Sequence, residues 1–387
     1  MKKDYISIGL MSGTSGDGVD ASIISSDGYK KYTSIKNKYY EYNNEIFDEI
    51  HEIREKINCL NDIKKFSKEI SSLERKITIF HAEVISDIEQ KKIVNLIGFH
   101  GQTIYHNPSQ GVSKQLGNGQ LLSQLTKKNV VFNFRENDIK NGGQGAPLTP
   151  IFHNVLINQI SKKYNFSSPV SILNIGGISN ITFSRGKLNF NENEITAKDI
   201  GPGNCLIDEW MRKKTKKKYD KDGLLARKGK INIQIFNQAI ENYYENKFKT
   251  SSFKNNEKIL LSYDPKDFDL SFVRGLSLED GLATLTAYTA KIIYSEISKE
   301  KTVKCLVCGG GRKNKFLMEL IKKNVKNDND INFDLIDLYN IDGDFVESQA
   351  FAYLAIRTFM SEPISFPKTT GCKKLKGCVG GEIIFFK

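Results

Sequence analysis

Twice along this chain an apolar strand runs into a glycine turn and out into a second apolar strand. The first copy is Tyr5–Met11, the turn Gly13-Thr14-Ser15-Gly16-Asp17-Gly18, and Val19–Ile24. The second is Val170–Ile175, Gly176-Gly177 and Ile178–Thr182. A repeated strand–turn–strand unit predicts two similar α/β units with mixed sheets, facing each other across a cleft. Length agrees, because 387 residues exceed what one hydrophobic core usually supports. The expected division is an N-terminal α/β lobe over 1–142 and a C-terminal α/β lobe over 143–387, with the C-terminal segment packing back on the first.

Between the two copies, Ile46, Ile50, Ile53, Ile57, Leu60, Ile63, Phe66, Ile70, Leu73, Ile77, Phe80, Val84 and Ile88 recur at three- and four-residue steps. That periodicity predicts two or more helices presenting one apolar face. A third strand is expected near 31–42, and another over Ile93–Gly98, followed by a loop-rich stretch to Pro147. Later segments read as helix over Leu278–Ile297, strand over Val303–Cys308, and helices over Asn314–Lys323 and Phe345–Phe359.

Composition excludes several classes. The first apolar run breaks at Ser12-Gly13-Thr14, too early for a signal-peptide core or a spanning helix, so a cytoplasmic, membrane-free protein is expected. The net charge of +12 raises nucleic acid as a partner. The densest basic run, Arg212–Lys218, has no aromatic residue for base stacking, and Asp220 and Asp222 follow it. A solvated face that also favours an anionic substrate is the better reading. Six cysteines are too few for a disulfide scaffold. Cys305 and Cys308 have half a metal knuckle's spacing but sit in a strand, and Cys372 and Cys378 are the only other close pair. Buried small side chains explain these better than zinc.

Four glycine turns follow apolar strands: Gly13–Gly18, Gly176-Gly177, Gly201-Pro202-Gly203 and Gly309-Gly310-Gly311. Phosphate needs close backbone approach and converging N–H groups, which glycine permits. There is no Gly-x-x-x-x-Gly-Lys-Ser/Thr. Gly16-Asp17-Gly18-Val19-Asp20-Ala21 fits a relaxed dinucleotide fingerprint, but that motif must open a helix and Ala21-Ser22-Ile23-Ile24 reads as strand. A strand–turn–strand phosphate loop remains.

The opening Gly9-Leu-Met-Ser-Gly-Thr-Ser-Gly-Asp-Gly-Val-Asp20 resembles the signature of anhydro-N-acetylmuramic acid kinases. So do His100-Gly-Gln-Thr103 with His106, Phe134–Ile139 leading into Gly142–Leu148, Leu173–Asn180, Asp199–Asn204 with Asp208 and Trp210, Ala283–Ala287, Cys308–Gly311 with Asn314, Phe345–Ser348 with Phe351-Ala352, and Thr369-Thr-Gly371. They stand in the family's order from residue 9 to 371. The resemblance implies a two-lobed actin/hexokinase-like (ribonuclease H-like) kinase fold with an interlobe cleft. It implies ATP-dependent, hydrolytic opening and phosphorylation of 1,6-anhydro-N-acetylmuramic acid to N-acetylmuramic acid 6-phosphate, in peptidoglycan recycling. It also implies Mg²⁺ and a homodimer. The alternative is another sugar kinase of the same fold.

Residue roles follow from the resemblance. Asp199 matches the catalytic aspartate, a base for the attacking water; standing alone, it reads equally well as a turn carboxylate. Gly13, Thr14, Ser15, Gly16, Asp17, Gly18, Val19 and Asp20 would cradle phosphates, with Asp17 reaching Mg²⁺ through water or serving only the turn. Gly176, Gly177, Gly201, Gly203 and Asn204 join the nucleotide side, and Gly309, Gly310 and Gly311 would admit the adenosine portion. Glu347 matches a glutamate at the sugar, or is an N-terminal helix charge. Arg135 and Asp138 shape the sugar pocket or pair with each other, and His100 contacts substrate or is structural.

Two positions and one segment depart from the family pattern. Gly16 replaces a leucine, and Ile200 stands where threonine is common. Pro265-Lys-Asp-Phe-Asp-Leu-Ser271 replaces a motif resembling Pro-Lys-Ser-Thr-Gly-Arg-Glu.

Overall fold

A computed structural model describes residues 3–91, 93–167, 169–184, 194–252, 262–299, 303–325 and 331–386. The chain divides into two compact units. One is Met1–Lys163 with Leu188–Ala197 and Asp344–Lys387; the other is Tyr164–Lys187 with Lys198–Gly343.

The first unit opens with β1 (Tyr5–Ser12), β2 (Gly18–Ser26) and β3 (Tyr32–Glu41), each antiparallel to the one before. The periodic stretch resolves into α1 (Asn44–Lys56), α2 (Leu60–Lys65) and α3 (Ser67–Ile88). The Asn43 side chain caps α1 by accepting the Ile46 N–H at 2.9 Å. Next come β4 (Leu96–Asn107), β5 (Val112–Leu116), α4 (Gly119–Thr126), β6 (Asn129–Phe132), α5 (Glu136–Lys140) and α6 (Pro150–Tyr164).

Two expectations are corrected here. The stretch before Pro147, read as loop-rich, holds β5, α4, β6 and α5. The strand expected to end at Gly98 continues through His100–Thr103. Gly101 (φ +74°) lets it do so: a Cβ there would lie 2.3 Å from the Leu116 carbonyl oxygen of the paired β5. The pairing is irregular on both sides of this point, between Leu10 and Ser12 and between Thr103 and Tyr105.

The second unit contains β7 (Val170–Ile175), β8 (Ile178–Ser184), the Lys198–Pro202 part of β9 (Ile195–Pro202), α7 (Cys205–Lys214), α8 (Leu224–Lys228), α9 (Ile233–Ser252), α10 (Leu278–Ser298), β10 (Lys304–Cys308), α11 (Lys315–Val325) and β11 (Asn332–Leu335). Leu173, Ile175, Ile181 and Phe183 from its sheet pack with Ile293 of α10 and Leu317 and Ile321 of α11. Cys305 and Cys308 are fully buried within β10. The chain then returns to the first unit through α12 (Val346–Phe359), α13 (Pro367–Thr370) and β12 (Glu382–Ile384), the last antiparallel to β6.

The two sheets share one strand order. The first runs β12-β6-β4-β1-β2-β3, with β5 also on β4, and the second β11-β10-β7-β8-β9. In each, the opening strand is central, pairs antiparallel with the next strand and parallel with the fourth or its counterpart. The duplication read from the two glycine-turn hairpins is thus a duplication of fold, the actin/hexokinase type that the resemblance implied.

Side-chain alternation decides what covers the first sheet. Ile8, Leu10, Ile97 and Phe99 join Ile46, Ile50, Leu73 and Ile77 in one core. The intervening Gly9 and Gly98 point the other way, where α12 lies. Among the described residues, no helix is long and apolar enough to cross a membrane.

Candidate functional site

In the first unit, the turn from Gly13 to Asp17 joins β1 to β2. Its carbonyls are drawn onto protein donors. Gln102 Nε2 donates to Gly13 O at 3.0 Å, Arg54 Nη1 to Thr14 O, and the Tyr42 amide to Asp17 O at 2.9 Å. The His51 ring nitrogen Nε2 lies 3.0 Å from Ser15 O, and the Ser12 hydroxyl donates to Gly18 O at 3.0 Å. With these acceptors engaged, the turn offers a ligand mainly donors, which is the polarity an anion requires. Gly16 holds φ +65° and its amide closes onto Gly13 O at 3.1 Å. Around Gly13 a Cβ would meet only the Ser15 hydroxyl, at 3.9 Å, so the backbone here stays open to close approach. Ser15 Oγ donates to Asp17 Oδ1 at 2.5 Å, fixing that half-buried carboxylate over the turn. Gly18 and Asp20 belong to β2, and the Val19 side chain is fully buried in the core.

The same unit holds the residues expected at the sugar. Arg135 Nη2 donates to His100 Nε2 at 3.0 Å, so the ring proton sits on Nδ1, which donates to Gly101 O at 2.7 Å. Burial, and then the neighbouring Arg135 charge, hold the His100 pKa well below its usual value and keep the ring neutral. Arg135 Nη1 donates to Gly145 O at 2.7 Å. Asp138 is not spent on Arg135 in these contacts. Its Oδ2 accepts the Gly145 amide at 2.7 Å, and its Oδ1 accepts Ser365 Oγ at 2.5 Å and Thr370 Oγ1 at 2.6 Å. Arg135 and Asp138 therefore hold the Gly142–Pro147 loop at one residue, Gly145, through its carbonyl and its amide. Glu347 lies half-buried in the first turn of α12, next to Ser348, whose hydroxyl is 2.7 Å from that of Ser22 on β2.

In the second unit, three of the glycine turns come together at the ends of β7, β9 and β10. The amides of Gly203 and Asn204 donate to Gly177 O and Gly176 O, both at 2.8 Å, and the Cys205 amide to Gly177 O at 3.2 Å. A Cβ on Gly203 would lie 2.2 Å from Gly176 O, so only glycine allows this contact. Gly309, at φ +83°, packs on the end of β7, where a Cβ would stand 2.3 Å from Asn174 Oδ1; Gly311 is similarly close to Ile175. Gly310 between them faces open space. The turn of Gly13–Asp17 occupies the matching β1–β2 position of the other unit.

Asp199 stands near the end of β9, two residues before Gly201. It is 8% exposed, and its Oδ2 accepts Ser262 Oγ and the Tyr263 amide, each at 3.1 Å. The next carbonyl, Ile200 O, accepts the Tyr243 hydroxyl at 2.7 Å, and Gly201 (φ +150°) fits against that tyrosine and Ile292. The carboxylate is thus held on a strand end gripped from α9 and α10. Ser262 and Tyr263 lie just before the divergent 265–271 segment.

Several residues were not singled out from sequence. Arg312 forks onto Asp337, Nε to Oδ2 and Nη2 to Oδ1 both at 2.8 Å, while Nη1 donates to Gly309 O at 3.1 Å. Burial would raise the Asp337 carboxyl, but the Arg312 bonds hold it below its usual range. Gln102 serves the first turn in the same way. The basic Arg312-Lys313 pair after the triple glycine was the available signal for Arg312, and the His100-Gly-Gln-Thr103 motif was the signal for Gln102; Asp337 meets Arg312 across 25 positions with no motif to mark it.

Comparison with known proteins gives likeness along nearly the whole chain. The family model described as AnmK, anhydro-N-acetylmuramic acid kinase, matches residues 5–384. A Pelagibacter ubique (strain HTCC1062) protein named anhydro-N-acetylmuramic acid kinase is 51% identical over 392 residues, 99% of each chain. A Zymomonas mobilis protein of the same name is 36% identical over 375 residues, 95% of this chain and 96% of that one. Among solved structures, a ROK family glucokinase from Streptomyces griseus in complex with glucose and AMPPNP is 10% identical, with coverage of 90% and 99% and a TM-score of 0.38, too remote to speak to chemistry.

Proposed function

Since the chain belongs to the anhydro-N-acetylmuramic acid kinase family, we propose that it couples opening of the 1,6-anhydro ring of its sugar to phosphorylation by ATP. Water adds to the anomeric carbon, the bond from that carbon to O6 breaks, and O6 takes the γ-phosphoryl group. ADP leaves, and the water's proton passes to a base. The products are N-acetylmuramic acid 6-phosphate and ADP.

The observation that carries this reading is the Asp199 carboxylate, anchored through Oδ2 by Ser262 and Tyr263 on a strand that runs directly into Gly201-Pro202-Gly203. Anchoring one oxygen orients a carboxylate for proton transfer at its other edge. Asp199 is the base in this reading. Phosphoryl transfer is then mainly positioning and neutralisation of charge. The Gly13–Asp17 turn receives phosphate, because its carbonyls are engaged and its donors are not blocked by side chains. The opening at Gly310, framed by Arg312 on Gly309 O, receives the adenosine portion.

The donor set also fits a magnesium ion. Asp17 would hold it through water, and the ion would neutralise the phosphate charge. Arg135, His100 and Glu347 would form the sugar side, with Asp138 supporting the loop that Arg135 holds. A homodimer in the cytoplasm completes the proposal; family resemblance is its support, and sizing of the purified protein tests the dimer.

The experiment is a substrate comparison with Mg-ATP. Purified protein should convert the anhydro sugar to a ring-opened phosphate. Preference for plain N-acetylmuramic acid or another hexose would favour a different sugar kinase of this fold.

A further inference from the structure

The long segment between α12 and β12 brings two thiols onto Asp138. Cys372 Sγ, Cys378 Sγ and an Asp138 carboxylate oxygen all lie within 4.8 Å of one another. All three residues are essentially sealed, with exposures of 2%, 0% and 1%. We infer that Asp138, Cys372 and Cys378 form a site for one zinc-like divalent cation, behind the Gly142–Pro147 loop that Asp138 shares with Arg135 of the proposed sugar side.

The three side chains supply three of the four ligands that such an ion takes. Zinc takes thiolate sulfur at about 2.3 Å and carboxylate oxygen at about 2.0–2.2 Å in a tetrahedral shell, so its ligand atoms stand roughly 3.5–3.8 Å apart. Closing from the observed spacing requires movements of about 1 Å or less. Asp138 has the capacity. Its Oδ1 is filled by the Ser365 and Thr370 hydroxyls, but its Oδ2 accepts only the Gly145 amide among the described residues and keeps a lone pair. Those three donors would then be the outer partners that orient a metal-bound carboxylate.

Charge and topology point the same way. Because cysteine binds a cation as thiolate, ion binding would release two thiol protons and, with Asp138, leave the site with one net negative charge. Lys373, Lys374 and Lys376 are exposed in the loop between the cysteines. The site would also fasten three loop segments that are otherwise joined only by scattered bonds, such as Lys373 N to Asn141 O at 2.9 Å, Gln144 N to Thr370 O at 2.8 Å and Cys378 N to Ser365 O at 2.9 Å. An irregular stretch of this length gains from a staple.

The test uses the full-length protein, reduced and freed of metal by a chelator, titrated with Co²⁺ and then with competing Zn²⁺. The expected result is one equivalent bound, with sulfur-to-cobalt charge-transfer absorption and release of two protons. Cys372→Ser and Cys378→Ser should each lose the absorption, Cys59→Ser should keep it, and Ser365→Ala should keep it with affinity weakened ~10–100-fold. In the wild-type protein, Zn²⁺ should slow alkylation of Cys372 and Cys378 but not of exposed Cys59, a readout that does not depend on any variant folding. Absence of absorption at saturating cobalt, absorption that survives in both cysteine variants, or a Cys372–Cys378 disulfide in protein isolated without reductant would each overturn the assignment.

Discussion

Gly9 on β1 and Gly98 on β4 are register partners, and the backbone of α12 lies across both of them. A Cβ on Gly9 would stand 1.9 Å from Ser348 O, and one on Gly98 would stand 2.2 Å from Phe351 O. The helix that carries Glu347 is therefore seated directly on the sheet backbone. Gly98→Ala should displace α12 and cost about 1–3 kcal/mol, the usual range for overpacking. Chemical denaturation measures that cost, and turnover should fall with it if Glu347 contacts the sugar.

Arg312 fixes the triple-glycine turn through Gly309 O while its other nitrogens fork onto Asp337. Lysine cannot reproduce that fork. Losing charge-assisted bonds of this kind costs about 1.5–3 kcal/mol. Arg312→Lys is thus expected to raise KM for ATP ~10-fold or more, with a smaller change in KM for the sugar. An equal change in both would place Arg312 outside nucleotide recognition.

Two buried histidines predict acid sensitivity. Burial lowers the His81 pKa to about 4, against a bond to Ile77 O that raises it, and burial lowers that of His153 to about 3. Above about pH 6.5 both are neutral, folded or unfolded, and cost nothing. As pH falls below that value, the unfolded chain takes up protons that the folded chain refuses, so stability declines until the folded pKa is reached. At pH 5 the loss is about 2 kcal/mol for each histidine. Urea denaturation at pH 7 and pH 5 checks this, and His81→Gln should remove about a quarter of the decline, because His100 and His106 are lowered by burial as well.

Much of this architecture is legible in the order of the amino acids. The hairpins at Gly13–Gly18 and Gly176-Gly177 announce the duplicated sheet because a strand, a glycine turn and a strand leave little alternative. The periodic isoleucines from Ile46 to Ile88 mark helices packed on one core. What stays hidden is what depends on distant partners. The strand read as ending at Gly98 runs on through His100–Thr103, where Gly101 serves close pairing with Leu116. Asp138 reads as a pocket residue, while its bonds reach Ser365 and Thr370, more than two hundred positions away. Cys372 and Cys378 look like isolated apolar side chains until Asp138 is placed beside them. Glycine positions can be read from composition and pattern; the donors that close on them cannot.

The most direct test is steady-state turnover of the anhydro sugar by Asp199→Asn with saturating Mg-ATP. The asparagine is nearly isosteric and can still accept the Ser262 and Tyr263 bonds, so folding and nucleotide binding should persist. With the base gone, kcat should drop ~10²–10⁴-fold, the usual contribution of a general base. Near-normal turnover in that variant would contradict the role given to this carboxylate, and with it the mechanism.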